Sequence, residues 1–350
     1  MESILKNIVI LGGSYAGVST AHRILKQSAK AGLAIKITLI SPNTHVYWNI
    51  ASTRAIVPGG IPDEKVFSSI ASGFSQYTAD KFEFVVGTAE ELDVENKKVA
   101  VSGESGGSSF GYDFLILATG SRTKEDSPFK GKGSYQESLD LLHEWQSKVK
   151  DASSIYIAGA GATGVETAGE LGFAYGSSKE ITLIASGPTV LEGTPASVSK
   201  TATKQLQSLQ VKIKVSTKVS GSAKTPDGKY EITLSTGEKI ITDLYIPTMG
   251  IIPNSSYIPE KYLNPAGFAT VDEFLRLKGT TDIWVVGDVS AVERAHYKVG
   301  EKDMLAVPVG KKLGTGHMGG MKFPSFVVNL VKGKTLFTQK LTPMVNGSAF

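Results

Sequence analysis

Two glycine-rich segments carry the residues whose types and spacing could do chemistry. The first is Gly12-Gly13-Ser14-Tyr15-Ala16-Gly17. Glycine at the first position permits a tight turn, glycine at the last lets a helix approach the preceding strand, and the free N–H groups at the start of that helix attract a pyrophosphate. Ser14 in the middle partly crowds the phosphate, but its hydroxyl can donate to it. The segment predicts a dinucleotide site; its alternative is a simple helix start.

The second segment, Gly159-Ala160-Gly161-Ala162-Thr163-Gly164, has glycine at all three positions and predicts a second nucleotide site. Glu166 and Glu170 follow it, four residues apart and therefore on one helix face. Carboxylates near the start of a helix stabilise it through the helix dipole. For Glu170 we expect that role alone, whereas Glu166, nearer the nucleotide, is also a candidate for direct contact.

The acidic residue that holds a ribose after the second strand of many dinucleotide-binding folds is missing from both units. Residues 40–43 read Ile-Ser-Pro-Asn, and residues 184–187 read Ile-Ala-Ser-Gly. Neither stretch offers a carboxylate, and neither offers an Arg for a 2′-phosphate. The choice between NADH and NADPH therefore stays open.

Apolar, β-branched runs must position these segments. They lead into glycine at 7–11, 154–158 and 283–286. Continuous runs of this kind are typical of strands buried on both faces of a parallel sheet. Helical patterns and further strands follow the first two runs, at 15–29 and 35–40, and at 163–175 and 180–184.

The intervening sequence contains shorter elements. We predict a hairpin or meander over 82–86 and 97–101, a loop at 102–109, a strand at 114–118 and a second meander over 212–219 and 230–234. The order of strand, glycine turn, helix, strand, meander and strand thus occurs twice. The sequence predicts an α/β fold with two Rossmann-like dinucleotide-binding domains, each with a small β-meander.

The composition excludes several classes of function. The chain of 350 residues has room for two or three domains, and its mild charge of +4 argues against a nucleic-acid partner. It contains no cysteine, so a disulfide framework, a thiolate metal site and dithiol redox chemistry are excluded. The five histidines include no pair at ligand spacing, and we expect no metal site.

The start of the chain predicts a cytoplasmic protein. Its first residues run directly into an apolar strand and lack the features of a secretory signal or a transit peptide. Glu2 stands where N-myristoylation requires glycine. No stretch approaches the roughly 20 apolar residues that a membrane span needs.

Four motifs, in this order, resemble the pyridine-nucleotide-dependent FAD oxidoreductases of the glutathione-reductase fold. They are Gly12 to Gly17, Ala118-Thr119-Gly120, Gly159 to Gly164 with Val165-Glu166, and Val286-Gly287-Asp288. Residues 46–54 and the tail at 323–326 and 335–337 resemble the apoptosis-inducing-factor-like branch, including its fungal members and the ferroptosis suppressor protein. The resemblance covers nearly the whole chain.

The resemblance implies FAD at the first segment and NADH or NADPH at the second. Gly12, Ser14 and Gly17 would face the FAD pyrophosphate, and Arg54 would lie near the flavin. Asp288 would hydrogen-bond the ribityl or phosphate region, a role compatible with capping a helix.

The same resemblance implies the domain organisation. Ala118-Thr119-Gly120 would cross between the domains beside the FAD, and residues 250–254 would return. The FAD-binding domain would comprise 1–130 and 266–305, the NAD(P)H-binding domain 131–265, and a short C-terminal segment 306–350.

These cofactors imply hydride transfer from the nicotinamide to the flavin, for which no catalytic side chain is required. Without cysteine, the electrons must pass to a quinone, another small oxidant or oxygen, and the resemblance favours the quinone. The alternatives are a tailoring oxidoreductase of secondary metabolism and a non-catalytic nucleotide-sensing protein with a weakened FAD site.

Two further hypotheses concern the last third of the chain. The tail at 323–337 mixes Phe, Val and Leu with Lys332 and Lys334, which suits either peripheral membrane contact or packing on its own protein. After Asp288, the long helix of the family is expected to be shortened or missing over 291–302. FAD should then be bound non-covalently and more weakly than is usual in the family. The sequence gives no prediction of oligomeric state.

Overall fold

The computed structural model describes residues 4–103, 106–291 and 303–350. The strands within these ranges, in chain order, are β1 Lys6–Leu11, β2 Ile35–Ser41, β3 His45–Tyr47, β4 Phe67–Ser69, β5 Phe82–Val86, β6 Thr88–Asp93, β7 Lys98–Gly103, β8 Gly106–Gly111, β9 Phe114–Leu117, β10 Ser121–Thr123, β11 Ser154–Ala158, β12 Glu180–Ile184, β13 Lys212–Lys214, β14 Val219–Lys224, β15 Tyr230–Leu234, β16 Lys239–Thr242, β17 Leu244–Pro247, β18 Ile251–Pro253, β19 Ile283–Val285, β20 Met304–Val309, β21 Leu313–Met318 and β22 Met321–Lys322.

Helices cover the faces of the sheets. The α-helices of the same ranges are α1 Tyr15–Ala31, α2 Ser52–Ala55, α3 Ile70–Gly73, α4 Tyr135–Asp151, α5 Ala162–Tyr175, α6 Ala196–Ser208, α7 Ser325–Val328 and α8 Leu341–Val345. Short 3₁₀ turns occupy Asn49–Ala51, Asp63–Lys65, Gly176–Ser178, Glu260–Tyr262 and Thr338–Lys340, and one π-helical turn occupies Asn329–Gly333.

The first unit is built on a five-stranded parallel sheet in the order β19-β9-β1-β2-β5. Helix α1 buries Val18, Ala21 and Leu25, a three- and four-residue spacing that places them on one face. It ends at Gly32, whose φ of 66° is a left-handed conformation that glycine adopts without strain. This sheet and helix form the predicted first Rossmann-like unit.

The second unit repeats the plan on a smaller parallel sheet, β13-β12-β11-β17. Helix α5 follows β11 directly and is buried along most of its length, because β20 and the C-terminal segment pack on it from the other side. Gly169 marks this close contact, since a Cβ there would lie 2.8 Å from the Cα of Val309. The prediction of two similarly folded units is confirmed.

Several predicted pairings were wrong. Residues 82–86 form β5, which joins the parallel sheet beside β2, and the first meander is β6-β7-β8. The predicted loop at 102–109 includes the last two residues of β7 and the first four residues of β8. Residues 212–214 form a parallel strand beside β12, and the second meander is β14-β15-β16.

The two chain crossings between the units lie side by side. Strand β10 pairs antiparallel with β18, so that Arg122 stands opposite Ile252. Thr119 and Asn254 extend this pairing, because the Thr119 hydroxyl donates to the Asn254 carbonyl (2.7 Å) and the Asn254 side-chain amide donates to the Thr119 carbonyl (2.9 Å). Residues 118–120 and 250–254 thus lie side by side, and their position beside an FAD stays a prediction.

The C-terminal segment has more structure than the sequence predicted. It begins with an antiparallel sheet, β20-β21-β22, and continues through α7 and the π-helical turn to α8. Helix α8 returns to the first unit, where the buried His22 ring lies 2.8 Å from the Val345 carbonyl oxygen. In the part of the chain that the structure describes, no helix is both long and apolar enough to cross a membrane.

Candidate functional site

The first glycine turn lies at the carboxyl end of β1, in the centre of its sheet. Gly12 has a φ of 114°, and a Cβ there would come 2.2 Å from the carbonyl oxygen of Ala118. A Cβ at Gly17 would come 1.8 Å from the Gly12 carbonyl oxygen. Both positions require glycine because the turn, the neighbouring strand and the helix approach too closely for any side chain.

The start of α1 suits a phosphate. Ser14 caps the helix in an extended conformation, its hydroxyl makes no capping hydrogen bond, and the residue is exposed. No acidic residue lies in the first turn. The helix N–H groups therefore face outward with neither a side chain nor a negative charge of their own in the way, which is the environment that a pyrophosphate requires.

The next residue, Tyr15, turns its ring away from this surface. Its ring centroid lies 5.1 Å from that of the buried Trp48, and burial raises the pKa of its hydroxyl. Gly13 is also enclosed, because a Cβ there would meet Ile70 at 2.6 Å and Ser41 at 2.8 Å. Within the segment, these two residues shape the turn, and their contact with a cofactor stays a prediction.

Asp288 stands beside the same turn. A Cβ at Gly287 would lie 3.2 Å from that of Ala16, so the loop after β19 approaches the start of α1. The Asp288 carboxylate accepts hydrogen bonds from Lys130 Nζ (2.5 Å) and the Ser121 hydroxyl (3.0 Å). Burial alone would raise the pKa of Asp288, but Lys130 and Ser121 outweigh it and hold that pKa below its usual value.

The second glycine turn repeats this geometry at the end of β11. Gly159 has a φ of 104°, and a Cβ at Gly164 would lie 1.8 Å from the Gly159 carbonyl oxygen. Gly161 differs from both, because no heavy atom of the described residues, apart from its own chain neighbours, comes within 4 Å of where its Cβ would stand. It caps α5 without an acidic residue in the first turn. The open space at Gly161 is where a second pyrophosphate would fit.

Arg54 is placed between the units. Its guanidinium holds Glu170 in two parallel hydrogen bonds, from Nε to Oε2 (2.8 Å) and from Nη2 to Oε1 (2.7 Å). The same group donates to the carbonyls of Gly333 (2.7 Å) and Lys334 (3.1 Å). With side chains exposed by only 3% and 2%, Arg54 and Glu170 form a buried ion pair.

This arrangement gives Arg54 and Glu170 a structural role that the sequence did not reveal. The guanidinium joins α2, α5 and the C-terminal segment, and four of its donors are already used. The expectation that Glu170 serves only the helix dipole is therefore incomplete. Contact between Arg54 and a flavin stays a prediction.

Glu166 lies one turn before Glu170 and is also buried. It accepts a hydrogen bond from Lys332 Nζ at 2.6 Å. Burial raises the pKa of Glu166 to about 7, a rise that the Lys332 charge opposes and the Glu170 charge increases. Direct contact between Glu166 and a nucleotide stays a prediction. Lys332, which the composition of the tail had suggested for a membrane surface, instead points inward.

The site therefore consists of two glycine turns whose helix starts suit an anion, each at the carboxyl edge of a parallel sheet, linked by paired crossings. Sequence reasoning missed Lys130, Ser121 and Lys332, which hold the site's carboxylates. The segment where the long helix after Asp288 was expected to be lost, 291–302, lies outside the described residues apart from Ala291.

Comparison with known proteins agrees with this geometry. The model of the pyridine nucleotide-disulphide oxidoreductase family matches residues 6–303. Oxidoreductase ptaL of Pestalotiopsis fici is 47% identical, over 98% of this chain and 100% of the relative. Human ferroptosis suppressor protein 1 is 25% identical, over 96% of this chain and 95% of the relative.

A solved structure gives the same result for the fold. The sulfide:quinone oxidoreductase of Aquifex aeolicus superposes with a TM-score of 0.76, covering 98% of this chain and 92% of that chain. The sequence identity is 16%, so this similarity concerns the fold alone.

Proposed function

We propose, given that this chain belongs to the pyridine nucleotide-disulphide oxidoreductase family, that it transfers electrons from NADH or NADPH through FAD to a quinone. The prediction of an FAD-dependent and nicotinamide nucleotide-dependent oxidoreductase with two Rossmann-like domains is confirmed by the family match. The acceptor and the residue assignments are our proposal. The observation that carries it is the pair of glycine turns, each with a helix start free for a pyrophosphate.

The role of the protein is to bind and orient the two dinucleotides. The N–H groups of α1, with the Ser14 hydroxyl, would hold the FAD pyrophosphate, and those of α5, with Gly161, would hold the nicotinamide nucleotide. FAD, when bound, supplies a carrier that takes a hydride and passes two electrons on. Asp288 and the crossing at 118–120 would line the FAD side, and residues 1–130 with 266–305 and residues 131–265 would form the two binding domains.

A quinone fits the composition of the chain. With no cysteine, no dithiol can relay electrons from the flavin to a disulfide. The balanced reaction is NAD(P)H + H⁺ + quinone → NAD(P)⁺ + quinol, in which two electrons and two protons reach the quinone. Hydride transfer between the two cofactors requires no side chain to form or break a covalent bond, so we assign no catalytic residue.

Turnover of the purified protein tests the proposal. We expect the visible bands of oxidised flavin and oxidation of NADH or NADPH that accelerates when a soluble quinone is added. Turnover that depends on a small metabolite and ignores quinone would favour the tailoring oxidoreductase. Flavin and nucleotide binding without any turnover would favour the nucleotide-sensing protein.

We expect incomplete FAD occupancy in the isolated protein. We predict from the sequence that the family's long helix after Asp288 is shortened or missing over 291–302, which would remove part of the flavin's cover, so FAD should dissociate in part during purification. Added FAD binds only the folded state and should therefore raise the melting temperature. The measurement is the flavin-to-protein ratio and the melting temperature before and after incubation with FAD; full occupancy as isolated would contradict the weak site.

An exposed apolar group on the tail supports contact with a membrane, where lipid-soluble quinones are found. Phe326 is 71% exposed, Leu330 65% and Val331 47%. Lys322 and Lys334 are exposed as well. Val328 and Leu336 are buried, so only one side of the tail would meet lipid, and the other packs on the protein. Apolar side chains near lysines suit an anionic surface.

Sedimentation with vesicles tests this contact. We expect the protein to sediment with phosphatidylserine-containing vesicles at low salt, and a Phe326→Glu, Leu330→Glu variant to remain largely in the supernatant. Ile241→Glu is the matched control, because Ile241 is 53% exposed on β16, away from the tail. Absence of wild-type binding at low salt, or equal loss in the control, would rule out the tail as a membrane contact.

A further inference from the structure

The loop after β12 brings a carboxylate back to the end of that strand. The residues directly after the strand, 185–187, offer none. Glu192 is exposed, and its side chain folds back over Gly187. A Cβ at Gly187 would lie 2.1 Å from Glu192 Oε2 and 3.1 Å from Oε1. The carboxylate therefore occupies the space beside the third residue after the strand, although it comes from eight residues beyond the strand end.

Hydrogen bonds hold this loop against the second glycine turn. The N–H of Leu191 donates to the Ala160 carbonyl at 2.8 Å, which ties the residue before Glu192 to the turn itself. Val190 and Leu191 are buried. At the other end, the Ser216 N–H donates to the Gly187 carbonyl at 2.8 Å. The loop that carries Glu192 is thus held beside the same sheet edge that carries Gly161.

In dinucleotide-binding folds, the ribose next to the adenine lies between the glycine turn and the end of the second strand, where an acidic residue accepts a hydrogen bond from its 2′-hydroxyl. Glu192 supplies a carboxylate at that edge. Residues 185–199 contain no Lys or Arg, and Lys214, at the end of the neighbouring β13, already donates to Glu238 at 2.6 Å. The 2′-phosphate of NADPH would thus be repelled by the Glu192 carboxylate, and this loop offers no Lys or Arg to neutralise it.

We propose that Glu192 accepts a hydrogen bond from the adenosine ribose 2′-hydroxyl and makes this chain selective for NADH over NADPH. The proposal rests on the proposed function, because it assigns a nicotinamide nucleotide to the second glycine turn. The proposal answers the choice between NADH and NADPH that the sequence left open. Glu192, which lies beyond the end of β12, takes the place of the acidic residue that is missing at the strand end.

Binding measured without turnover tests the proposal. Dissociation constants for NADH, NADPH, ADP-ribose and 2′-phospho-ADP-ribose would be determined by calorimetry for the wild type, Glu192→Ala and Glu192→Gln, with the flavin chemically reduced beforehand and oxygen excluded so that no hydride is transferred. We expect the wild type to bind the two ligands that lack the 2′-phosphate about tenfold or more tightly than their phosphorylated counterparts. Both variants should lose most of that preference, through weaker NADH binding and tighter NADPH binding.

Glu180→Gln is the matched control, because Glu180 is exposed at the opposite end of the same strand and pairs with Lys212. Its preference should equal that of the wild type. A wild type that binds NADPH as tightly as NADH, or Glu192 variants with an unchanged ratio, would overturn the role of Glu192 while leaving the nucleotide site intact. Failure of the folded wild type to bind any of the four ligands would overturn the proposed function as well.

Discussion

Replacing Gly161 with valine is expected to raise the KM for the nicotinamide nucleotide by about tenfold or more, with little change in the melting temperature. The space around Gly161 is open, because a Cβ there would have no described heavy atom within 4 Å apart from those of its own chain neighbours. Its φ of −73° and ψ of −170° are extended values that any residue adopts. The added side chain would instead occupy the place of the pyrophosphate. FAD content should stay at its wild-type value.

Gly164→Ala is the matched control within the same turn. Its Cβ would lie 1.8 Å from the Gly159 carbonyl oxygen and 2.9 Å from Thr248 Oγ1, so the turn itself must distort. We expect this variant to lose stability, and any effect on KM to accompany that loss. Steady-state kinetics and thermal unfolding separate the two cases. A folded Gly161→Val protein with unchanged nucleotide kinetics would contradict the second nucleotide site.

Replacing Arg54 with alanine is expected to cost about 3–5 kcal/mol of stability, because it leaves the Glu170 carboxylate buried without its partner. The carbonyls of Gly333 and Lys334 lose their donors as well. Denaturant and thermal unfolding would measure the loss. The C-terminal segment should become more sensitive to proteolysis in this variant, since Arg54 joins it to the first unit.

Two control variants test whether the loss of stability comes from leaving a buried charge unpaired. Arg54→Met combined with Glu170→Met removes both charges at similar volume and should cost much less than Arg54→Ala alone. Glu144→Ala breaks the more exposed pair with Lys148 on α4 and should cost less than about 1 kcal/mol. Equal losses for Arg54→Ala and Glu144→Ala would show that the buried pair does not stabilise the junction.

The sequence predicted the parts of the fold that local patterns determine. Continuous apolar runs before glycine identified β1, β11 and β19, and a helical pattern over 15–29 identified α1. The pairing of strands was harder to predict. Alternation of apolar and polar residues shows that a strand has two different faces, but it does not show which strand lies beside it. The Gly/Ser-rich stretch around Gly106 was expected to be a loop, yet it begins an edge strand that β7 holds in place.

The site shows the same limit. The glycine turns are contiguous in the sequence and could be recognised, whereas Arg54 and Glu170 are 116 residues apart and meet only in the folded chain. Glu192 was also missed because its position depends on the fold. It lies eight residues beyond the end of β12 in the sequence, and the loop brings it back beside Gly187. In the tail, apolar and basic composition could not distinguish lipid from protein as the partner of Lys332.

The paired crossings β10 and β18 also bear on how far the two halves can move. Because the two connections pair as one antiparallel ribbon, a bend between the units would have to move both of them together. Arg54 and Glu170 form a second link between the units, and separating them would expose a buried charge pair. If the two nucleotides bind at the glycine turns as proposed, these links would hold them at a nearly constant separation, and the distance over which a hydride must travel would be set when the chain folds rather than when the nucleotide binds.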